Sequence, residues 1–218
     1  ESVRRVADRH TAAIIVEPIQ SMAGVREAPP EFFISLRELC NELGIILIFD
    51  EVQTGVGRTG NWFFSGSDNA GGVCPDVITL AKSLGSGVPV GACLMSESLA
   101  SEIRTNDLGT TFGGGMLAMA AVSATIEAIE QENMLENALA AEKHLRSYLE
   151  GARSVISIRG KGCLLGIEFD TECAPIHQKL IERAIITGTS SDPNVMRLLP
   201  PLCVSTDELD KLIEVLAE

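Results

Sequence analysis

The chain has 218 residues, 45% of them hydrophobic and 22% charged, enough to bury one core completely or one core and part of another. Its formal net charge is −13, with 17 Lys and Arg against 30 Asp and Glu and no basic stripe interleaved with aromatics, which disfavours a phosphate-backbone partner such as nucleic acid. The longest apolar runs, such as Ile45 to Phe49, fall far short of the roughly 20 residues a membrane-spanning helix needs, so no membrane span is expected.

Six cysteines (Cys40, Cys74, Cys93, Cys163, Cys173 and Cys203) are scattered without a Cys-x-x-Cys pair, and the three histidines make no metal-type spacing with them. They read as reduced thiols packed as small hydrophobes, and no metal site is expected. The chain opens on Glu1, Ser2, Val3, Arg4 and Arg5, without an initiator Met, a secretory segment or an Arg-rich leader. The expectations are a cytoplasmic location and a segment of a longer chain.

In chain order, Ala12 to Val16 reads as a buried strand. Pro29 and Pro30 open a helix whose apolar positions Phe33, Leu36, Cys40 and Leu43 keep helical spacing, and Gly44 is placed to stop it. The strand Ile45 to Phe49 follows at once, and residues 76–80 and 90–95 make two more apolar runs, read as interior strands. Strands alternating with helices predict an α/β fold with a mostly parallel sheet covered on both faces. From Leu117 to about Gly151 the pattern is helical, with a break near Glu132 and Asn133 that predicts two helices. Beyond it come strand-like stretches on either side of Gly160 and Gly162, a helix near 175–187, a short strand around Val195 to Leu199, and a final helix. Ser205 followed by Glu208 predicts a capping box at the start of that helix. This region reads as a small α+β domain.

The segment Ile45 to Gly60 is the most informative. Its apolar strand runs straight into Asp50 and Glu51, and in a parallel α/β sheet the ligand crevice lies at the carboxyl ends of the strands. A lone acid there ordinarily reads as a turn or cap residue; its company raises it. Gly55, Gly57 and Gly60 form a literal G-x-G-x-x-G, but four residues separate it from Asp50 and no helical pattern follows, so a dinucleotide site is rejected. Lys82 lies two residues past the strand at 76–80, among small and apolar neighbours, where desolvation would make it a free amine able to attack an aldehyde. Residues 109–115, Gly-Thr-Thr-Phe-Gly-Gly-Gly, offer hydroxyls and glycine amides before a long helix, suited equally to a phosphate contact or an interdomain turn.

Together, IIVEPIQ, LIFDEVQTGVGRTG, PDVITLAKSLGSGVPVGA, GTTFGGG and VMRLLPPL resemble the class III aminotransferases, the ornithine, acetylornithine and 4-aminobutyrate group of fold type I, across nearly the whole chain. The resemblance implies pyridoxal 5'-phosphate as cofactor, with Lys82 as its Schiff-base lysine and proton shuttle and Asp50 as the partner of the pyridine nitrogen. It further implies Val52 on the ring face, Gln53 near the phenolic oxygen, Glu17 as a strand-end acid near the cofactor, and Thr111 reaching the cofactor phosphate of the neighbouring subunit in a homodimer. Arg197 resembles the arginine that grips a substrate carboxylate by its bidentate fork. Residues 1–118 would be the carboxyl-terminal part of the large cofactor-binding domain, and 119–218 the linking helix and small domain. The family's amino-terminal half, with its phosphate loop and stacking aromatic, has no counterpart here, which implies a segment of a longer protein or one whose other half was cleaved.

The implied reaction is transamination between an amino acid or ω-amino donor, acetylornithine-like as first guess, and a 2-oxo acid. A racemase or epimerase of the same family and a non-catalytic binding or scaffold module are the alternatives. One departure stands out. Where the ornithine and acetylornithine branch places a Glu that pairs with the arginine corresponding to Arg197, this chain has Met22. Either Met22 fills the same volume, or Arg197 is never masked.

Overall fold

The computed structural model describes residues 1–217. The chain runs through helix α1 (Ser2–Val6), strand β1 (Ala13–Val16), the short strands β2 (Ile19–Gln20) and β3 (Arg26–Glu27), helix α2 (Pro30–Leu43), and strands β4 (Ile46–Asp50), β5 (Val77–Leu80) and β6 (Ala92–Met95). It continues with helices α3 (Glu97–Ala100), α4 (Met116–Gln131) and α5 (Met134–Leu149), strands β7 (Val155–Lys161) and β8 (Leu164–Phe169), helix α6 (Ala174–Glu182), strand β9 (Val195–Leu198) and helix α7 (Thr206–Ala217). Two compact units result. One comprises Glu1–Pro18, Ala28–Val56 and Phe63–Glu127; the other comprises Ile19–Glu27, Gly57–Trp62 and the chain from Ala128 onward.

The first unit is built on a sheet of order β1-β4-β5-β6, in which β1, β4 and β5 are parallel. Helix α2 begins at Pro30, whose missing amide costs a first turn nothing, and ends where Gly44 takes the left-handed conformation at φ +66°. Its buried face carries Phe33, Leu36, Leu39 and Cys40. Phe33 meets Phe49 of β4 and Phe64 edge-on, with ring centroids 5.5 and 5.6 Å apart. Burying each such ring stabilises the fold by about 1.5–3 kcal/mol.

Two strands depart from expectation. β1 is only partly covered, with Ile15 62% exposed. β6 pairs antiparallel to β5 and lies at the sheet's edge among the described residues, leaving Leu94 43% exposed. The link from Leu80 to Ala92 is too short for the helical crossover that a parallel return requires. An apolar run of that length gives neither direction nor place in the sheet.

The second unit centres on the antiparallel sheet β7-β8-β9. Its core includes Leu145 of α5, Leu164, Leu165 and Ile167 of β8, Leu180 of α6 and Met196 of β9, all buried. The predicted break between the two long helices falls at Asn133, in the left-handed conformation at φ +51°. The β7–β8 turn needs Gly162, at φ +57°, because a Cβ there would stand 2.7 Å from the Arg58 carbonyl oxygen. Helix α6 stops at Glu182, short of the expected 187: Ala184 turns left-handed at φ +59°, and the Ile185 amide donates back to the Leu180 carbonyl in a Schellman-type closure. The capping box before α7 forms, with the Ser205 amide donating to Glu208 Oε2 at 2.9 Å and the Glu208 amide to Ser205 Oγ at 3.3 Å.

Candidate active site

Because β1, β4 and β5 are parallel, their carboxyl ends fall on one rim of the sheet. Glu17 directly follows β1, Asp50 closes β4, and Lys82 lies just past β5. Their side chains, with those of Val52 and Gln53, line one cleft of about 130 Å³. This is where an open α/β sheet places its ligand.

Asp50 is half-buried and held through one oxygen. Its Oδ1 accepts from the Val52 amide and from Thr79 Oγ1, each at 3.1 Å. Thr79 is its register partner on β5, so the hydroxyl lies alongside. Oδ2 takes no hydrogen bond among the described residues, and a fixed carboxylate therefore presents one oxygen for a donor. Lys82 begins a 3₁₀ turn with φ +46°, left-handed for a residue with a side chain, after an extended Ala81. Such a conformation costs about 1–3 kcal/mol and concentrates at functional sites. Its ammonium makes no ion pair or hydrogen bond among the described residues, with Asp50 or any other group. The side chain is exposed on this chain, so these residues do not supply the apolar setting expected around it.

Sequence reasoning assigned no part to Glu51, which is 1% exposed. Its Oε2 accepts from the Phe64 amide at 2.6 Å and from Thr54 Oγ1 at 3.3 Å, and its Oε1 from the Ser65 amide at 2.8 Å. Backbone amides offset the cost of burying this carboxylate without a cation. Gly55 closes the turn: its amide donates to the Glu51 carbonyl at 2.9 Å, and a Cβ would stand 2.8 Å from Leu80 Cδ2. Gly55 thus serves this turn rather than a phosphate cradle, and no helix opens within the glycine motif. Thr79, too, passed unnoticed, since only the β4–β5 register reveals it.

Thr111 belongs to the first unit, in an exposed turn, and does not line the cleft. Arg197 belongs to the second unit, on β9 opposite Gly166. It donates through Nη1 to Ser21 Oγ at 2.8 Å and through Nε to the Thr189 carbonyl at 2.5 Å, and burial lowers its pKa from the ordinary value. Met22 is 54% exposed on this chain, and its carbonyl accepts from the Ser191 amide and hydroxyl at 2.8 and 2.9 Å.

A pyridoxal-type cofactor asks for an amine without an ion-pair partner and for a fixed carboxylate with an open acceptor position. Lys82 and Asp50 meet both requirements on one cleft wall, and the half-buried Val52 adds an apolar surface. Among the described residues no cluster of His, Cys, Asp and Glu suits a metal ion, and no helix is long and apolar enough to cross a membrane.

Solved transaminases share this fold. The chain superimposes on a transaminase from the marine bacterium Virgibacillus with a TM-score of 0.89 at 30% identity, covering 99% of this chain and 54% of that one. An acetylornithine aminotransferase from Elizabethkingia anophelis gives 0.82 at 30% identity, covering 94% and 55%. The architecture is that of the fold type I transferases that use pyridoxal phosphate. The class-III aminotransferase family model matches residues 1–218, and the chain belongs to that family. Acetylornithine aminotransferase of Archaeoglobus fulgidus is 42% identical over 217 residues, 99% of this chain and 56% of the relative; that of Methanopyrus kandleri is 43% identical over 220 residues, with 100% and 56% coverage. The chain thus spans about half the length of the curated relatives it matches.

Proposed function

We propose that the protein transfers an amino group from an acetylornithine-like donor to a 2-oxo acid with pyridoxal 5'-phosphate as cofactor. The observation that carries this reading is the convergence of Glu17, Asp50 and Lys82 on one cleft at the ends of three parallel strands. When bound, the cofactor would supply an electron sink for the substrate carbon that carries the transferred amine, the ω-carbon of an acetylornithine-like donor. Asp50, fixed by Thr79 and the Val52 amide, would hold the proton on the pyridine nitrogen. Lys82 would hold the cofactor covalently through its amine and would move the proton at the substrate carbon that carries the transferred amine. Val52 would offer an apolar surface to the ring, Gln53 a polar contact to the phenolic oxygen, and Glu17 an acid beside them. Arg197 binds a substrate carboxylate.

The donor rests on the relatives' names, acetylornithine aminotransferases at 42 and 43% identity. A homodimer in which Thr111 reaches the partner's cofactor phosphate is supported by the apolar residues around it: Phe112 is 88% and Met116 90% exposed, more than an isolated soluble surface ordinarily leaves in one stretch. The six free cysteines are in keeping with a cytoplasmic protein. The test is borohydride reduction of the cofactor-loaded enzyme followed by peptide mapping. The cofactor is expected on Lys82; label on Lys143, Lys161, Lys179 or Lys211 would refute the assignment.

A further inference from the structure

Ser21 is fully buried, and its backbone is fixed by the turn between β2 and β3, where its carbonyl accepts from the Gly24 and Val25 amides at 3.2 and 3.1 Å. Its hydroxyl serves no cap or strand; it accepts from Arg197 Nη1 at 2.8 Å. The other contact that orients the guanidinium, Nε to the Thr189 carbonyl, is likewise to a neutral oxygen. Arg197 makes no ion pair among the described residues. Two of its five N–H donors are engaged, so the rest of the fork and the full positive charge remain for an anion. A carboxylate in place of Ser21 would bind the same edge and cancel that charge. A hydroxyl orients without cancelling.

We propose that Ser21 is the positioning residue for Arg197: a rigid, neutral latch that holds the guanidinium at one edge and leaves it charged toward a substrate carboxylate. The proposal rests on the reading of Arg197 as the carboxylate-binding residue. It also shifts attention from Met22, whose exposed side chain the sequence had singled out, to the residue before it.

The experiment uses the cofactor-loaded enzyme and two measurements: calorimetric titration with glutarate, an unreactive carboxylate, and steady-state kinetics with a 2-oxo acid. Ser21→Ala and the near-isosteric Ser21→Cys, a weak acceptor, are each expected to raise the glutarate Kd roughly tenfold, since a hydrogen bond to a charged group is lost. KM for the oxo acid should rise in parallel with kcat within about twofold, and Ser21→Thr, which keeps the hydroxyl, should restore both constants. Unchanged glutarate binding in both the Ala and Cys variants, or a fall in kcat with Kd unmoved, overturns the proposal. Arg197→Lys separates the two readings. If it weakens glutarate binding while the Ser21 variants do not, the latch alone is wrong; if it too leaves binding unchanged, the carboxylate role of Arg197 is wrong.

Discussion

Glu51 and Phe64 are joined by a 2.6 Å hydrogen bond from the Phe64 amide to Glu51 Oε2, and the Phe64 ring packs edge-on against Phe33 in the core. The carboxylate next to the site's own aspartate is therefore anchored to the packed interior. Glu51→Gln removes the charge and turns one acceptor into a donor facing a backbone amide. The expected loss is about 1.5–3 kcal/mol of stability, the scale of a hydrogen bond to a charged group. Denaturant unfolding of the variant measures it; a midpoint equal to that of the natural protein would contradict the anchoring role.

Asp50→Asn keeps the shape of the cleft and both hydrogen bonds received at Oδ1. It is expected to retain the cofactor and to lose about 10²–10³-fold in kcat, the scale at which removing one preorganised electrostatic contact acts. Cofactor absorbance and single-turnover rates separate the two effects. Turnover near that of the natural enzyme would make the carboxylate structural.

Gly162→Ala is expected to destabilise the second unit by more than about 1 kcal/mol, because it meets both a left-handed backbone and a collision with backbone atoms. The added Cβ would lie 2.7 Å from the Arg58 carbonyl oxygen and 2.8 Å from the Thr59 carbonyl carbon, neither of which is a flexible side-chain end. Thermal unfolding monitored by circular dichroism tests this; an unshifted Tm would show that the turn relaxes freely.

Burial pushes the Cys163 thiol up from 9.0 to about 11, against the opposing pull of the Arg58 guanidinium. The unfolded chain releases this proton at lower pH than the folded one, so the unfolded state binds fewer protons there and stability falls as pH rises from about 9 to 11. Cys163→Ala is expected to flatten the decline in that window. Equal slopes for both proteins, measured by urea unfolding across it, would place the alkaline sensitivity elsewhere.

The strand-helix alternation and the run into Asp50 were legible because apolar periodicity and glycine or proline punctuation are local signals. Lys82 could be placed past a strand end for the same reason, whereas Glu17 was implied only by the family resemblance. Thr79 and Ser21 could not, since each acquires its partner through a contact that crosses the chain: Thr79 by strand register, Ser21 by packing beside a residue far along the sequence. β6 illustrates the remaining gap, where direction was set by the length of its connection rather than by its own composition. The Lys82 backbone was likewise illegible, because the left-handed conformation there is imposed by its surroundings and not by a glycine.

With Glu17, Asp50 and Lys82 all on one rim of the sheet, the opposite rim carries a structural acid, Asp76, whose Oδ2 accepts from Arg37 Nη1 at 2.8 Å and from the Leu47 amide at 2.7 Å. The chain enters β4 through Gly44 and Ile45 and approaches β5 through the exposed Gly71 and Gly72. An extra residue inside β4 would rotate Asp50 to the other face, because side chains alternate along a strand. Before β5 the chain is tied as well, with the Gly72 amide donating to the Ser67 carbonyl and the Gly66 amide to the Val73 carbonyl, each at 2.9 Å. The cleft therefore depends on the residue count of each strand that ends on it, so that a register error far from Asp50 would be felt at Asp50 itself.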